Sequence, residues 1–208
     1  METQRGTLPV LLVASHGGTE WKVSGTTLKT DLYTAELVRE WSHQIREQIH
    51  PDAYPSFCII EVHKSYMNLN RPLKDQPTEE ARVLWKKAHT WMEEEYARWG
   101  GRLFLFDIHG HSSGRAGNPD IIYRGTYNGQ SFRATPEWEE RWIESGARNK
   151  LAIEPPSWLQ YTGEARCYRG GYITQNYPNA IQWELPFSIR KNPNVFIETM
   201  IEFLFEKK

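Results

Sequence analysis

Residues 103–112 read LFLFDIHGHS, an apolar run that turns polar at Asp107. An apolar run such as Leu103–Phe106 is typical of a strand that is buried on both faces, like the strands of a parallel sheet. His109 and His111 are two positions apart, so a continued strand would direct both imidazoles to the face that Asp107 shares. The stretch therefore predicts a buried strand with functional groups at its carboxyl end, where Asp107 could orient a metal-binding imidazole.

The segments on either side alternate between strands and helices, which predicts an α/β fold built from βαβ units. Apolar runs predict strands at residues 8–15, 56–63, 102–108, 120–123 and 181–185. Helical spacing of apolar residues predicts helices at about 31–50, 78–99, 136–146 and 193–206, with Thr30 as the cap of the first helix. Residues 17–30 are predicted as a loop, and the irregular stretches 110–135 and 151–180 as walls of a site.

Length and composition narrow the class of protein. A chain of 208 residues predicts one domain, residues 1–208, with its own hydrophobic core. The net charge of −1 gives no electrostatic footprint for nucleic acid, so no nucleic-acid partner is expected. No apolar stretch reaches the ~20 residues that span a bilayer, and no secretory signal is visible, so we expect no membrane association. Two unpatterned cysteines favour a reduced, cytoplasmic location, and the oligomeric state stays open.

One imidazole and one carboxylate, those of His16 and Glu20, lie on the loop that follows the first predicted strand. A His nitrogen and a Glu oxygen are both ligands that zinc accepts, so His16 and Glu20 are candidate metal ligands. Gly17 and Gly18 would let the backbone fold tightly enough for both side chains to converge. The competing interpretation is an ordinary turn whose His and Glu are solvated.

Glu184 is the single charged residue in the apolar strand predicted at 181–185. Burying a carboxylate is costly unless it is paired or faces a cavity, and desolvation raises its pKa toward the range useful to a general base. We therefore predict Glu184 as a catalytic base. The alternative is a rim carboxylate that pairs with Arg190 or Lys191.

Three cations are candidates for binding an anionic substrate. The planar guanidinium of Arg71 suits a carboxylate, although an arbitrary arginine more often pairs with a surface acid. Lys64 follows the second predicted strand and would add positive potential, and Arg124 lies in the first of the long loops. These residues predict a substrate that carries a free carboxylate.

Taken in order, these motifs resemble the N-formylglutamate amidohydrolase family, whose fold is related to that of the zinc carboxypeptidases. The similarity rests on Ser15–Gly18, Asn68–Pro72, Asp107–His109, Pro119–Ile121, Gly170–Thr174 and Gln182–Glu184. The sequence departs from the family pattern at three places: Ser15 replaces a Pro, Asn68 replaces an Asp, and His111 is an additional imidazole.

The resemblance implies a three-layer sandwich with a mixed, mainly parallel central sheet and helices on both faces. It implies that His16, Glu20 and His109 bind one Zn²⁺ or another divalent ion. His111 is an alternative to His109, and Asp31 an alternative to Glu20.

The resemblance also assigns roles around the metal, with Asn70 joining Arg71 as a carboxylate clamp and Glu184 acting as the base. The expected activity is zinc-dependent hydrolysis of the C–N amide bond of a small N-acyl amino acid such as N-formylglutamate. One alternative is a carboxypeptidase-like or γ-glutamyl hydrolase that acts on short peptides. Another is a binding module without catalytic activity.

Overall fold

The computed structural model describes residues 1–18, 20–23, 26–29, 31–111, 122–125, 136–151 and 170–205, with the backbone alone for 20–23, 26–29, 136–140 and 143. The strands in these ranges are β1 (Glu2–Gln4), β2 (Val10–Ala14), β3 (Glu20–Val23), β4 (Thr26–Lys29), β5 (Ser56–Ile59), β6 (Phe104–Gly110), β7 (Tyr123–Gly125) and β8 (Ala180–Leu185). The α-helices are α1 (Thr34–Gln48), α2 (Glu79–Arg98), α3 (Pro136–Arg148), α4 (Tyr172–Asn176), α5 (Phe187–Lys191) and α6 (Asn194–Phe205), and a 3₁₀ turn spans Leu73–Asp75.

Six of the described strands form one mixed sheet in the order β1-β5-β2-β6-β8-β7. The four central strands β5, β2, β6 and β8 run parallel to one another. The edge strands β1 and β7 are antiparallel to their neighbours. The prediction of an α/β fold with a mixed, mainly parallel sheet is confirmed.

Side chains of the central strands alternate between two hydrophobic clusters, since successive residues of a strand point to opposite faces. Leu12 and Phe106 belong to the cluster that includes Trp41 of α1 and Phe196 of α6. The second cluster combines residues of the strands with residues of α2 and α4. It includes Leu11, Leu105, Ala180, Trp85, Met92 and Ile173. Helices therefore contribute to the apolar core on each of the two sides of the strands.

The long helix α2 agrees with its sequence signals. The Thr78 side chain accepts a hydrogen bond from the Ala81 backbone N–H, 3.1 Å away, which satisfies a donor that the first turn leaves open. After the helix, Gly100 and Gly101 have φ values of 56° and 79°, the left-handed conformation that glycine adopts without strain. The predicted start and stop of this helix are confirmed.

The segment before α1 differs from the prediction. The helix begins at Thr34, three residues after the expected start at Asp31, because Tyr33 has a φ of 68° and interrupts the helical backbone. The expected cap Thr30 lies outside the described residues. The stretch predicted as a loop contains the β3–β4 hairpin, in which Glu20 is in register with Lys29.

Three elements, β1, α4 and α5, were not predicted from the sequence. β1, α4 and α5 are short, and α4 lies in the stretch that we expected to be irregular. β7 begins at Tyr123, at the end of the predicted strand 120–123, whose first two residues lie outside the described ranges. No helix in the described part of the chain is long and apolar enough to cross a membrane.

Candidate active site

Polar side chains occupy the carboxyl-terminal half of one face of the sheet. On β6, Leu105 belongs to the apolar core, whereas Asp107 and His109 follow it on the same face at two-residue intervals. The register places His109 directly beside Glu184 of β8. Ligand sites of open α/β sheets lie outside the carboxyl ends of the strands, so this position suits a functional site.

His109 is buried between two carboxylates. Its Nδ1 lies 3.1 Å from Asp31 Oδ2, and its Nε2 lies 2.9 Å from Asp107 Oδ2. Burial by itself lowers the pKa of His109, but the charge of Asp107 and the hydrogen bonds to both carboxylates hold that pKa well above its ordinary value. Both ring nitrogens of His109 therefore face carboxylate oxygens, which only accept hydrogen bonds when they are ionised.

Asp107 is fully buried and its oxygens are satisfied by three side chains. The Ser15 hydroxyl donates to Oδ1 at 2.7 Å, and the Asn70 amide nitrogen donates to Oδ2 at 2.5 Å. Burial by itself raises the pKa of Asp107, but His109 and these donors lower it below the ordinary value. Asp107 is thus an ionised group that orients the His109 ring.

Asp31 is the acid that the fold brings to His109. Burial alone would raise the pKa of Asp31, but the hydrogen bond and charge of His109 lower it to about 2. The Asp31 backbone carbonyl also accepts hydrogen bonds from the N–H and the hydroxyl of Thr34. The non-helical turn before α1 therefore has a local cause and directs the Asp31 carboxylate toward β6.

His16 lies beside His109, with 5.4 Å between the ring centroids and 60° between the ring planes. Burial lowers the pKa of His16 to about 4, and the nearby charges of His109 and Lys64 also lower it, against the opposite effects of Asp31 and Asp107. His16 is therefore neutral at pH 7. Its Nδ1 is buried and has no hydrogen-bond partner among the described residues.

Asn70 connects the site to α4. Its amide nitrogen lies 2.7 Å from His109 Nε2 in addition to its bond to Asp107, and its amide oxygen accepts from the Ile173 backbone N–H at 3.1 Å. The Asn70 carbonyl accepts from the Tyr172 N–H, also at 3.1 Å. The amide predicted as part of a substrate clamp is thus engaged with protein groups at both ends.

Glu184 is half-buried and is held by a neighbour on its own strand. Gln182 Nε2 donates to Glu184 Oε1 at 2.8 Å, while Gln182 Oε1 accepts from the Gly171 backbone N–H at 2.6 Å. The backbone donor fixes which end of the Gln182 amide faces Glu184, because a carboxylate can only accept. One edge of the Glu184 carboxylate is thereby oriented on the face that carries His109.

The candidate substrate-binding cations lie in different surroundings. Lys64 and Arg71 are exposed, and Lys64 is close enough to His16 for its charge to act on that ring. Arg124 is buried in β7, where it is in register with Trp183 and lies on the face opposite to Glu184. The register brings together His109 and Glu184 but directs Arg124 away from them.

His111 lies just beyond the end of β6. Its ring packs against Tyr123 with 5.2 Å between centroids, and its backbone N–H donates to Leu185 O at 3.1 Å. His109, by contrast, contacts Asp31, Asp107 and the His16 ring. Of the two imidazoles that the sequence left as alternatives, His109 is the one at the centre of the acidic cluster.

The donor types at this site suit zinc, which binds imidazole nitrogens and carboxylate oxygens. Two ligands of one tetrahedral zinc stand about 3.3 Å apart, close to the 3.1 Å between His109 Nδ1 and Asp31 Oδ2. The unused Nδ1 of His16 is a third donor of the right kind. As placed, however, the described side chains include no group of three or more His, Cys, Asp or Glu that could hold a metal ion. Glu20 opens β3, but its side chain lies outside the described part of the structure.

The hydrogen bonds that Ser15, Asn70 and Gln182 donate to carboxylates were not predicted from the sequence. Each of them acts on a neighbouring charged group: Ser15 and Asn70 on Asp107, and Gln182 on Glu184. The position of Gln182, two residues before Glu184 on the same strand, was the one available signal, because alternate residues share a face. Sequence spacing gave no comparable signal for Ser15 or Asn70.

Comparisons with known proteins give a fold-level result. No family model matches this sequence, and no curated protein matches it. Among solved structures, the chain is similar to N-formylglutamate amidohydrolase from Ralstonia eutropha, with a TM-score of 0.67 and 12% identity over 97% of this chain and 95% of that one. It is also similar to a gene product of Agrobacterium tumefaciens, with a TM-score of 0.60 and 11% identity over 97% of this chain and 90% of that one. These similarities show a shared α/β fold over almost the whole length.

Proposed function

We propose that this protein is an amidohydrolase that cleaves the C–N amide bond of a small N-acyl amino acid, of which N-formylglutamate is the first candidate. The observation that carries the proposal is the buried cluster of His16, Asp31 and His109 beside Glu184 at the carboxyl ends of β2, β6 and β8. The fold shared with an N-formylglutamate amidohydrolase supports the same reaction class.

We propose His16, His109 and one acid as the ligands of a single Zn²⁺. Asp31 is favoured as the acid because it contacts His109, while Glu20 stays a prediction. Zinc bound there would polarise the scissile carbonyl and lower the pKa of the attacking water. Asp107, bonded to His109 Nε2, would hold the ring so that Nδ1 faces the ion.

Glu184 is proposed as the general base. Its carboxylate would take the proton of the attacking water and return it to the leaving nitrogen. The hydrogen bond from Gln182 holds Oε1 and restricts rotation of the carboxylate on the face that carries His109. Arg71 and Lys64 are exposed and cationic, which suits contact with the carboxylate of the substrate.

A finer description of the fold belongs to the same proposal. Helices contribute to apolar clusters on both sides of the sheet, which supports a three-layer sandwich of the zinc-carboxypeptidase type. A carboxypeptidase-like or γ-glutamyl activity would use the same groups on a longer substrate. A panel that compares N-formyl-L-glutamate with short peptides distinguishes these two substrate classes.

The test compares Glu184→Gln with the wild type and with Glu198→Gln, which changes an exposed glutamate of α6. We expect Glu184→Gln to retain zinc and to lose hydrolysis by about 10²–10⁴-fold, the usual contribution of a general base. Glu198→Gln should match the wild type. Full activity in Glu184→Gln would contradict the proposed role of Glu184 as the base. Absence of turnover in the zinc-loaded wild type would favour a binding module without catalytic activity.

Metal analysis of the purified wild type tests the ligands independently of turnover. We expect stoichiometric zinc in the wild type and its loss in His16→Ala and His109→Ala, since each variant removes one of three protein ligands. Zinc retained at wild-type affinity by both variants would contradict the proposed site.

A further inference from the structure

Arg190 of α5 is a buried arginine whose guanidinium binds three backbone carbonyls. Its Nε donates to Leu185 O at 3.1 Å, its Nη1 to Leu32 O at 2.5 Å and its Nη2 to His111 O at 3.3 Å. The side chain is 7% exposed. The rigid, planar guanidinium can serve three fixed acceptors at once, which the single ammonium of a lysine cannot reproduce in the same geometry.

The three carbonyls belong to the three segments that carry the candidate active-site groups. Leu32 directly follows Asp31, and Leu185 directly follows Glu184. His111 follows His109 by two positions at the end of β6. A single side chain thus joins the turn before α1 and the carboxyl ends of β6 and β8, at the points where each presents a polar group.

The backbone of β6 is fitted to this guanidinium. A Cβ added at Gly110 would lie 2.4 Å from Arg190 Cζ and 2.6 Å from Nη1, distances that real Cβ atoms do not show. The guanidinium is held by three carbonyls, so it cannot move aside without losing at least one of those hydrogen bonds. Gly110, between His109 and His111, therefore provides the space that Arg190 requires.

The charge of Arg190 matches its surroundings. Burial lowers the pKa of Arg190, and the negative charges of Asp31 and Glu184 oppose that effect. A buried cation near two carboxylates offsets part of the repulsion in a cluster that also contains Asp107. The residue is therefore coupled to the site by its charge as well as by its hydrogen bonds.

We propose that Arg190 is a positioning residue, which fixes Asp31 and Glu184 relative to His109 through the backbone carbonyls of their segments. Its effect on hydrolysis rests on the proposed function. The effect of Arg190 on the Asp31–His109 contact does not depend on the proposed function. It can be measured separately in the metal-free protein.

The first experiment records the ring N–H resonances of His109 by proton NMR in metal-free, full-length protein, with His109→Gln used for assignment. In the wild type, both ring nitrogens lie within 3.1 Å of carboxylate oxygens, which only accept hydrogen bonds when ionised, so two strongly downfield N–H signals are expected. In Arg190→Met, the Nδ1–H signal should be lost, because Asp31 is no longer held in place. The Nε2–H signal should persist, because Asp107 lies on the same strand as His109.

Arg141→Met is the matched control. Arg141 also donates to a backbone carbonyl, that of Phe203 at 2.9 Å, but it joins α3 to α6 and not the site. It should leave both His109 signals unchanged. Gly110→Ala should also lose the Nδ1–H signal of His109. If Arg190→Met does not fold, Gly110→Ala replaces it in the experiment. Two unchanged signals in every folded variant of Arg190 and Gly110 would overturn the proposal.

The second experiment measures hydrolysis of N-formyl-L-glutamate by the zinc-loaded enzymes. We expect kcat/KM to fall about 100-fold in Arg190→Met, mainly through kcat, because misplacement by about 1 Å costs that much. Arg190→Lys should recover part of the loss. A fall in thermal stability with unchanged kcat/KM would reduce Arg190 to a general packing residue. If the wild type shows no turnover, the proposed function fails, while the NMR comparison still decides the role of Arg190.

Discussion

At the scale of single residues, Asn70 shows how much of the site depends on one uncharged side chain. Its amide nitrogen donates to Asp107 on β6, and its amide oxygen accepts from the Ile173 N–H of α4. Replacing it with a residue that cannot form hydrogen bonds leaves buried partners unsatisfied. This is more damaging than losing a solvent-exposed hydrogen bond, because water cannot take the place of the missing group.

We predict that Asn70→Ala lowers the free energy of unfolding by about 1–3 kcal/mol, as measured by urea denaturation. Asn149→Ala is the control, because the Asn149 amide bonds to Ser145 O and to Glu202 on the side of α3 and α6. Its loss should be smaller, since Glu202 is also paired with Arg148. Equal losses in the two variants would contradict the importance given to Asn70.

His89 is a second residue with a measurable consequence. Its ring lies against Trp85, and its two nitrogens face the Tyr177 hydroxyl at 2.7 Å and Leu69 O at 3.3 Å. Burial lowers the pKa of His89 to about 4, against smaller opposing effects of Leu69 O and Asp107. The ring is therefore neutral in the folded protein throughout the range in which an exposed histidine becomes protonated.

The sign of the resulting pH dependence follows from proton binding. Between about pH 6.5 and pH 4 the unfolded state takes up a proton at His89 that the folded state does not, so stability falls as the pH is lowered through this window. The contribution is at most about 3 kcal/mol. We predict that His89→Gln has a flatter stability profile in urea denaturation between pH 7 and pH 4. His16 has a similarly lowered pKa but is present in both proteins, so parallel profiles would contradict the assignment to His89.

At the scale of elements, the short helix α4 is fitted against the Asn70 loop. A Cβ added at Gly171 would lie 2.3 Å from Asn70 Oδ1, so a larger residue there must displace the Asn70 amide. Gly171 itself has a φ of −85°, which any residue adopts. The requirement for glycine at this position is therefore steric and not conformational.

We predict that Gly171→Ala lowers kcat/KM for an N-acyl amino acid by about 100-fold, because the shift passes through Asn70 to Asp107 and His109. Gly101→Ala is the matched control: its φ is 79° and a Cβ there meets nothing within 4 Å. That variant should lose about 1–2 kcal/mol of stability through backbone strain and keep its hydrolysis rate. Equal activity in Gly171→Ala and the wild type would show that α4 does not position Asn70.

The elements that were predictable from the sequence are those with long apolar patterns. β2, β6 and β8 are buried runs, and α1 and α2 have apolar residues at helical spacing, so local composition determined them. β1 consists of Glu2, Thr3 and Gln4, an edge strand that exists through its pairing with β5 and has no apolar signal of its own. The β3–β4 hairpin was missed because glycines and threonines also describe an irregular loop.

The positions of His109 and Glu184 in the fold were predictable, because each lies next to the last residue of a buried strand. The placement of Asp31 was not, because its partner His109 is 78 positions away in the chain and the contact depends on how α1 packs on the sheet. Arg190 was considered only as a partner of Glu184. Its actual acceptors are backbone carbonyls, which every residue has, so no side-chain pattern could reveal them.

At the scale of the whole molecule, the sheet face that carries the site is apolar at one end of β6 and β8 and polar at the other. Leu105 and Ala180 belong to an apolar cluster, while Asp107 and Glu184 lie further along the same two strands. We therefore expect that removing a single polar side chain of the site leaves this apolar cluster in place. This separation allows a metal-binding effect on stability to be measured in variants that still fold.

We predict that zinc raises the thermal midpoint of the wild type and does not raise that of His16→Ala. A ligand that binds only the folded state at 100 times its Kd stabilises it by about 2.7 kcal/mol. The measurement is a thermal scan of chelator-treated protein with and without added zinc. Midpoints that do not change with zinc in the wild type would contradict a metal site in the folded chain.

The strand β1 pairs with β5 at one margin of the sheet, and side chains at and just after it form ion pairs as well. Glu2 pairs with Arg39, and Arg5, just after the strand, pairs with Glu94 and with the buried Glu95. Ion pairs that face water weaken as dissolved salt accumulates. Concentrated salt should therefore loosen this strand and expose the backbone N–H and C=O groups of β5, which another copy of the chain could then bind. Aggregation of this protein should increase with ionic strength for that reason.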